Sequence, residues 1–539
     1  MHYQLADLYE SVADALPADR EALVVHGPTG VERLTYLELD RRANRLAHHL
    51  AAAGLVPGDH IGVQLHNGSE YVVTMLACFK VRLVPVNVNY RYVADELRYL
   101  FTDARLAGLV VGADLATRAA AVLPDVPSLR HVVSVGAQSA LPDAVDYATA
   151  LAAQPDTRGF GERSQDDLYI IYTGGTTGMP KGVMWRQEDI FFAGMGGANP
   201  VGEPVSSPEQ VAQQVVEKYP LTMFPVAPLM HGAAQLATWI GFWQGARIVL
   251  LTKFSGEAVV RTIAAEKVNT LSIVGDAMAR PMVEAMTGAA ADADLSSLLA
   301  LSSAGAILSQ TVRTQLTQRL PNLGILDNFG ASETGFQGNA APGSSPDAGL
   351  RFQMNARTTV LTDDLEEVQP GSGVVGRVAQ RGHVPLGYYG DAEKTAAAFV
   401  EIGGVRHVLL GDLARVEADG TVSVLGRASV CINTGGEKVF PEEVEAALKA
   451  HPAVYDVVVT GVPDEAYGSR VAAVVQFRDG QVADLEELAR HCRERVAGYK
   501  VPRLLVVVDT VQRSPSGKPD YPWAARVAAA HLEGAATPA

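Results

Sequence analysis

Apolar segments with helical and strand-like spacing alternate through roughly the first four hundred residues, and this alternation is the strongest constraint on the fold. A helical stretch with Leu37, Leu46 and Leu50 on its apolar positions ends at Gly54, and the strand-like segment HIGVQL follows after a turn at Pro57. The same order recurs in YVVTMLACFKV before LVPVNV and in GEAVVRTIAAEKV before TLSIV. Such repeated units predict an α/β fold with a mostly parallel sheet that helices cover on both faces.

The pattern changes after Gly426 and Arg427. A helix is predicted from Pro441, because a proline and two acidic residues, Glu442 and Glu443, favour the first helical turn. Two strand-like segments, YDVVVTGV and RVAAVVQF, the helical segment DLEELARHCRERV and the strand-like RLLVVVD come next. We therefore predict two domains, residues 1–427 and a smaller α+β domain of residues 428–539.

Composition excludes several classes of protein. A chain of 539 residues with 48% hydrophobic and 19% charged residues can bury a large core. Its net charge of −16 disfavours general binding to nucleic acid or to an anionic membrane. Three scattered cysteines form neither a disulfide framework nor a CxxC metal site. The acidic start lacks a secretory pattern and no apolar run has the length of a membrane span, so we expect a cytoplasmic protein without an integral membrane segment.

A loop rich in glycine and threonine, TGGTTGMPKG at residues 173 to 182, is the most informative motif. Glycines let backbone N–H groups approach an anion, threonine hydroxyls add donors, and Lys181 adds a positive charge, so the loop suits a polyphosphate. A Walker A loop requires glycine before its lysine and serine or threonine after it. Lys181 stands between Pro180 and Gly182, which argues against a kinase or ATPase of the P-loop type.

This loop resembles the phosphate loop of the adenylate-forming superfamily, and within it the loop of the AMP-forming acyl-CoA synthetases. The resemblance extends from LTYLELDRRANRLAHHL to RSPSGKPDY. It implies a large N-terminal domain of layered α/β sheets with a small barrel-like part, followed by a small mobile C-terminal domain. It also implies that the phosphates of ATP are bound by Thr173, Gly174, Gly175, Thr176, Thr177, Gly178 and Lys181, with Thr173 also close to the reaction.

The segment DNFGASETG resembles the family motif in which an aromatic ring stacks on adenine and a glutamate binds Mg²⁺. The resemblance assigns adenine stacking to Phe329, a contact with the α-phosphate to Ser332 and the metal to Glu333. Phenylalanine and serine replace the usual tyrosine and threonine. Further nucleotide contacts are implied for Ser303, Gly305, Ala306, Asn328, Gly330, and, at the ribose, Asp412 and Arg427.

The C-terminal region resembles the part of the family that changes position between two half-reactions. Lys518 matches the lysine that assists the attack on the α-phosphate, and Ser429 occupies the hinge position. Gly436 and Lys438 lie in TGGEK, which resembles the loop that meets coenzyme A in the second step.

His231 matches the family position between the nucleotide site and the carboxylic-acid site, where we expect it to act in catalysis. No aspartate stands there to bind an amino group, so an apolar acid fits better than an amino acid. We predict that the acid pocket is lined by Trp185, Met223, Phe224, Trp239 and Gly275. The orientation of Asp276 is left open. The segment GVMWRQEDIF is similar to ligases of long-chain and sterol-derived acids.

The resemblance implies an enzyme that converts a carboxylic acid and ATP, with Mg²⁺, into acyl-AMP and pyrophosphate and then transfers the acyl group to coenzyme A. One alternative is a fatty acyl-AMP ligase that loads a carrier protein. Another is a non-catalytic protein that binds acyl-adenylate, although the presence of Glu333 and Lys518 argues against it. The sequence leaves open the chain length of the acid and the oligomeric state, for which a homodimer is one possibility.

Overall fold

The computed structural model describes residues 2–137, 139–173, 179–344, 351–434, 437–464, 467–514 and 517–535. Its helices are α1 (Leu5–Ala15), α2 (Tyr36–Ala52), α3 (Ser69–Lys80), α4 (Ala94–Asp103), α5 (Ala116–Ala120), α6 (Tyr147–Ala152), α7 (Gln187–Gly194), α8 (Glu209–Glu217), α9 (Gly232–Trp243), α10 (Gly256–Glu266), α11 (Gly275–Thr287), α12 (Gln310–Arg319), α13 (Ala392–Ala398), α14 (Pro441–Lys449), α15 (Leu485–Arg493) and α16 (Tyr521–Ala535).

The strands of the first half are β1 (Glu21–Gly27), β2 (Gly30–Thr35), β3 (His60–Gln64), β4 (Val84–Asn87), β5 (Gly108–Gly112), β6 (His131–Val135), β7 (Val145–Asp146), β8 (Leu168–Thr173), β9 (Lys181–Arg186), β10 (Thr222–Pro225), β11 (Arg247–Leu251) and β12 (Thr270–Ile273). Those of the second half are β13 (Ala300–Ala304), β14 (Gly324–Ala331), β15 (Gly335–Ala340), β16 (Arg351–Met354), β17 (Thr358–Leu361), β18 (Val375–Arg381), β19 (Gly387–Tyr388), β20 (Phe399–Ile402), β21 (Val405–Val416), β22 (Val422–Arg427), β23 (Ile432–Thr434), β24 (Glu437–Val439), β25 (Val454–Asp464), β26 (Gly468–Phe477) and β27 (Leu504–Val507).

Two large sheets carry the N-terminal region, and the predicted α/β fold is confirmed. The eight-stranded sheet has the order β19-β9-β8-β4-β3-β5-β6-β7; its six strands from β8 to β7 are parallel, β9 runs antiparallel to β8, and β19 runs antiparallel to β9. In the fourteen-stranded sheet, β14, β13, β12, β10, β11 and β1 are parallel neighbours. The predicted βα units supply these parallel strands, because each crossover helix returns the chain to the same sheet edge.

The helix predicted after residue 36 is α2, and its sequence explains both where it begins and what it buries. Thr35 accepts a hydrogen bond from the backbone N–H of Glu38, whose side chain accepts one from the N–H of Thr35, so a capping box satisfies the first turn. Leu39, Leu46 and Leu50 then lie on one buried face.

The small barrel-like part that the resemblance implies is not a closed barrel. Among the described residues, β15, β16, β22, β21, β18 and β17 extend the larger sheet beyond β14 in antiparallel order, and β20 pairs with β21. Short connections join β14 to β15 and β21 to β22, which favours antiparallel pairing of these neighbours. β21 and β22 of this extension carry Asp412 and Arg427, which pair across the two strands.

The C-terminal region folds on sheets of its own. β25, β26 and β27 form one sheet, and β23 and β24 form a hairpin. Val457 and Val459 of β25 pack with Leu448 of α14 on one face of the sheet. Val458 packs with Ala524 of α16 on the other face. The continuous apolar run of β25 thus serves two cores, because successive side chains alternate between the faces of a strand.

Across the described ranges, no helix combines the length and the apolar character needed to cross a lipid bilayer.

Candidate active site

The phosphate-loop motif lies in a β-hairpin. Thr173 at the end of β8 is paired with Lys181 at the start of β9, so the two strands close the loop between them. A strand therefore begins at the lysine, unlike the helix that follows a Walker A lysine. Gly174, Gly175, Thr176, Thr177 and Gly178 lie outside the described residues.

Asn87 connects this hairpin to the loop that carries His231. Its side-chain amide donates to the carbonyl oxygens of Tyr172, at 2.8 Å, and of Met230, at 2.7 Å. Its side-chain oxygen accepts from the N–H of Tyr172 at 2.7 Å. These bonds hold His231, which precedes α9, close to Thr173. The sequence analysis missed Asn87, although its position at the carboxyl end of the parallel strand β4 is the signal that could have found it.

The turn between β14 and β15 carries Ser332 and Glu333. The indole N–H of Trp185 in β9 donates to the Ser332 carbonyl oxygen at 2.9 Å. The hydroxyl of Tyr388 in β19 donates to Oε1 of Glu333 at 3.1 Å. Gly335 has φ +67°, and a Cβ there would lie 2.4 Å from the carbonyl oxygen of Ala193. The turn therefore requires glycine to place Glu333 against the eight-stranded sheet.

The predicted adenine-side residues lie along β13 and β14. The half-buried ring of Phe329 packs against Phe352 with ring centroids 5.3 Å apart. Asn328 donates to the hydroxyl of Ser302 at 2.6 Å, and Gly330 is exposed. Ala306 follows β13 and is half-buried. Stacking of Phe329 on adenine stays a prediction.

Ser303 and Gly275 meet each other at the start of α11. The Ser303 hydroxyl accepts from the Gly275 N–H at 3.1 Å. Gly275 has φ +50°, and a Cβ there would lie 2.6 Å from the Ile307 carbonyl oxygen. Backbone geometry therefore requires glycine at this position, and its place in the lining of the acid pocket stays a prediction.

Asp412 and Arg427, the predicted ribose contacts, face each other across β21 and β22. They are register partners, and Nε of Arg427 donates to Oδ1 of Asp412 at 3.3 Å. The pairing fixes a carboxylate beside a guanidinium at the edge of the site.

Lys518 is held in a tight loop that docks on the N-terminal region. The loop is closed by the Ser514 N–H donating to the Lys518 carbonyl oxygen at 2.8 Å. Arg513 donates to Asp456 through two bonds of 2.6 Å and to the Gly517 carbonyl oxygen at 3.0 Å. The charged Arg513–Asp456 pair thus anchors the loop from inside the C-terminal sheet.

The structure brings Lys518 to Glu333, Asp412 and Arg427. A Cβ on Gly305 would lie 3.7 Å from Cε of Lys518, an ordinary van der Waals distance, so the lysine stem runs against this turn after β13. Burial lowers the pKa of Lys518 and Arg427 lowers it further, while Glu333 and Asp412 act in the opposite direction. Residues from Glu333 to Lys518, as many as 185 positions apart in the sequence, therefore form one charged cluster.

The C-terminal region also carries the predicted coenzyme A loop and the predicted hinge. Lys438 is exposed on β24, and Gly436 lies outside the described residues. Ser429, the predicted hinge, lies in a single 3₁₀ turn from Ala428 to Val430 directly after β22.

Three of the predicted pocket residues, Trp185, Phe224 and Trp239, are buried in the hydrophobic core. Trp239 stacks on Trp243 with ring centroids 5.8 Å apart and contacts Phe79 at 5.6 Å. Trp185 is fully buried, and so is Phe224 at 1% exposure, whereas Met223 is half-buried. These large rings hold the sheets together around the site.

Asp276 has its own partners. Its Oδ1 accepts from the N–H of Ser309 at 2.8 Å, and Oδ2 pairs with Arg280 at 2.9 Å. All of these groups are buried. The carboxylate is therefore neutralised within the protein and holds α11 against α12, which answers the question that the sequence left open.

One further carboxylate is buried where the two regions meet. Oε2 of Glu442 lies 2.6 Å from the position that a Cβ on Gly426 would take, and it accepts no hydrogen bond within the described part of the chain. Burial, and then the charge of Glu445, raise the pKa of Glu442 to about 8. Three more ionisable groups face it: Asp412, Arg427 and Tyr521.

The fold and the site together define a class: a two-part α/β protein in which a C-terminal lysine lies in the electrostatic field of a carboxylate of the larger part. The AMP-binding enzyme family matches residues 9–389, and the AMP-binding enzyme C-terminal domain matches residues 443–518. The chain belongs to this family of adenylate-forming enzymes.

Two relatives are similar over almost the whole chain. A medium/long-chain-fatty-acid–CoA and 3-oxocholest-4-en-26-oate–CoA ligase of Mycobacterium tuberculosis (strain H37Rv) is 48% identical over 527 residues, which cover 96% of this chain and 95% of the relative. The 3-oxocholest-4-en-26-oate–CoA ligase of Rhodococcus rhodochrous is 46% identical over 537 residues, covering 97% and 96%.

Solved structures share the fold. The anthranilate CoA ligase AuaEII in complex with anthranoyl-AMP superimposes with a TM-score of 0.83 at 22% identity and covers 99% of this chain and 98% of its own. ATP-bound MatB from Rhodopseudomonas palustris has a TM-score of 0.79 at 23% identity, covering 96% and 97%.

Proposed function

We propose that this enzyme is an acyl-CoA ligase. It joins an apolar carboxylic acid to the AMP moiety of ATP, releases pyrophosphate, and transfers the acyl group to coenzyme A. The observation that carries the proposal is the convergence of Lys518, Glu333, Asp412 and Arg427, which brings a lysine of the C-terminal region to a carboxylate and to the Asp412–Arg427 pair. Such a cluster suits the transfer of a nucleotide to an acid.

The proposed acid is a medium- or long-chain fatty acid or the side-chain acid of a sterol. The names of the two relatives support this substrate class. The pairing of Asp276 with Arg280 supports it as well, because it leaves Asp276 unsuited to binding the ammonium of an amino acid.

Glu333 has the chemistry to hold Mg²⁺ that arrives with ATP. The described residues contain no group of three or more His, Cys, Asp or Glu side chains that could hold a metal on their own. A single carboxylate is sufficient for Mg²⁺ on a polyphosphate, because the remaining ligands are phosphate oxygens and water. Glu333 uses Oε1 for Tyr388 and has a second oxygen, Oε2, for a cation. When bound, Mg²⁺ neutralises phosphate charge.

In the first half-reaction, a carboxylate oxygen attacks the α-phosphorus and pyrophosphate leaves. Two anions must approach each other, and the ammonium of Lys518 lowers the energy of that approach. Asp412 and Arg427 hold the ribose, and Thr173 with Lys181 bind the leaving phosphates. His231, which Asn87 keeps beside the loop, orients the carboxylate end of the acid.

In the second half-reaction, the thiol of coenzyme A attacks the acyl carbon and AMP leaves. We place the domain boundary at 427/428 and the hinge at Ser429, so that rotation of residues 428–539 withdraws Lys518 and brings Gly436 and Lys438 to the site. Turnover thus requires two positions of the small domain.

A panel of acids tests the substrate class. Incubation with ATP, Mg²⁺ and coenzyme A, followed by mass spectrometry, should give acyl-CoA from palmitate and from a sterol side-chain acid faster than from acetate. A preference for acetate or for an amino acid would contradict the proposal.

A further inference from the structure

The side chain of Tyr388 connects the two large sheets at the centre of the site. Tyr388 lies on β19, which pairs with β9 of the eight-stranded sheet through Val183. Glu333, whose Oε1 accepts from the Tyr388 hydroxyl at 3.1 Å, lies in a turn of the other sheet. The bond from Trp185 to the neighbouring Ser332 joins the same strand pair to the same turn. Two hydrogen-bond donors on β9 and β19, the Trp185 indole and the Tyr388 hydroxyl, therefore fix the position of the turn between β14 and β15.

The ring of Tyr388 is itself held in place. It is only 6% exposed and packs edge-on against Phe399 at 5.8 Å. The backbone N–H of Tyr388 donates to the Thr395 hydroxyl at 2.9 Å. Gly387 has φ +145°, and a Cβ there would lie 2.5 Å from Cγ2 of Thr395, so β19 is pressed closely onto α13. A ring restrained on several sides can fix the direction of its hydroxyl.

The same ring contacts two groups of opposite charge. Nζ of Lys181 lies 4.9 Å from the ring centroid, a cation–π contact, while the hydroxyl donates to Glu333. An ammonium and a carboxylate attract each other, and a direct ion pair would occupy both groups. Tyr388 offers each of them a separate contact, which leaves charge on both for a ligand.

We propose that Tyr388 is a positioning residue for the adenylation step: it holds the Glu333 carboxylate in the orientation that binds Mg²⁺ and keeps Lys181 directed to the phosphates. This inference rests on the proposed metal-binding role of Glu333. Partners that orient a metal ligand typically contribute about 10- to 100-fold to metal affinity or activity. The loss of the Tyr388 hydroxyl should therefore weaken the effect of Mg²⁺ on ATP binding by about 10-fold or more.

Calorimetric titration with ATP in the absence of an acid measures the effect of Mg²⁺ on ATP affinity without turnover. Wild type should bind ATP more tightly with Mg²⁺ than with EDTA. Tyr388→Phe keeps the ring under Lys181, so its affinity in EDTA should match wild type, while the gain on adding Mg²⁺ falls by about 10-fold or more. Tyr388→Leu also removes the ring and should weaken binding in EDTA.

Tyr389→Phe is the matched control, since Tyr389 is the next residue and its ring packs on His60. Its gain from Mg²⁺ should equal that of wild type. The rate of acyl-CoA formation from supplied acyl-AMP, which uses neither Mg²⁺ nor the leaving phosphates, measures the correctly folded fraction. Tyr388→Phe should retain this rate, and a parallel loss of both readouts would overturn the inference in favour of a general structural role.

Glu333→Gln separates the two proposals. If it abolishes the Mg²⁺ gain and Tyr388→Phe leaves the gain intact, the inference about Tyr388 is wrong while the role of Glu333 stands. If Glu333→Gln itself retains the full gain, the metal-binding role is wrong and the inference falls with it. Support requires that both single variants lose the gain and that the double variant loses no more than Glu333→Gln alone.

Discussion

Replacing Lys518 by alanine should separate the two half-reactions. The half-buried ammonium of Lys518 lies in the field of Glu333, Asp412 and Arg427. A pair of unit charges at 4 Å contributes about 4 kcal/mol at an effective dielectric constant of 20. Loss of one positioned donor typically costs about 3–4 kcal/mol, or 100- to 1,000-fold. Because Arg427 retains some positive charge at the site, we expect the lower end, about 100-fold.

Single-turnover measurement of acyl-AMP, quenched in acid and quantified by mass spectrometry, gives the rate of the first step. The second step is started from synthetic acyl-AMP and coenzyme A. Lys518→Ala should slow only the first step. Lys500→Ala is the control, because it removes a lysine of the same region that pairs with Glu443 at 2.5 Å. Wild-type acyl-AMP formation by Lys518→Ala, or equal losses in both steps, would refute the reasoning.

Four further outcomes are expected. Gly436→Leu should slow thioester formation and spare acyl-AMP formation, because a side chain would obstruct the arm of coenzyme A. An equal loss of rate in both assays would argue against two positions of the small domain during turnover. Glu333→Gln should raise the Mg²⁺ concentration needed for acyl-AMP formation, and an unchanged titration would exclude Glu333 as a ligand. For saturated acids, kcat/KM should rise with chain length, since each buried methylene contributes about 0.8 kcal/mol; a flat series would contradict an apolar pocket. Because the folded pKa of Glu442, about 8, exceeds its ordinary value of 4.5, stability should fall as pH rises between these values. Glu442→Gln should therefore stabilise the protein more at pH 9 than at pH 5, by up to about 4 kcal/mol in the free energy of unfolding. Melting temperatures of the variant and wild type at the two pH values measure this, and an equal effect of the substitution at both would contradict the burial of this carboxyl group.

Short motifs with glycine, threonine and lysine at fixed spacing identified residues that the structure places near one another, while the roles of these residues stay predictions. The hairpin closed by Thr173 and Lys181 and the arrival of Lys518 beside Glu333 follow motifs in the chain. The helices and strands followed from hydrophobic periodicity, as α2 illustrates.

The sequence could not predict side chains that reach the site through tertiary packing. Tyr388 is 55 residues from Glu333 in the chain and meets it only because a two-residue strand docks on β9. Trp239 stacks on Trp243. The sequence could not show this contact, because an aromatic residue near a functional motif has the same pattern in a core and in the lining of a pocket. The partner of Asp276 likewise became clear only when α11 placed Arg280 one turn away.

The central claim is that one chain both forms an acyl-adenylate and passes its acyl group to coenzyme A. Wild-type enzyme incubated with palmitate and MgATP should accumulate acyl-AMP and pyrophosphate when coenzyme A is absent. Addition of coenzyme A should convert this acyl-AMP to palmitoyl-CoA with release of AMP. Accumulation of acyl-AMP that coenzyme A leaves unconverted would contradict the account and favour transfer to a carrier protein, and the absence of both products would contradict catalysis of this reaction.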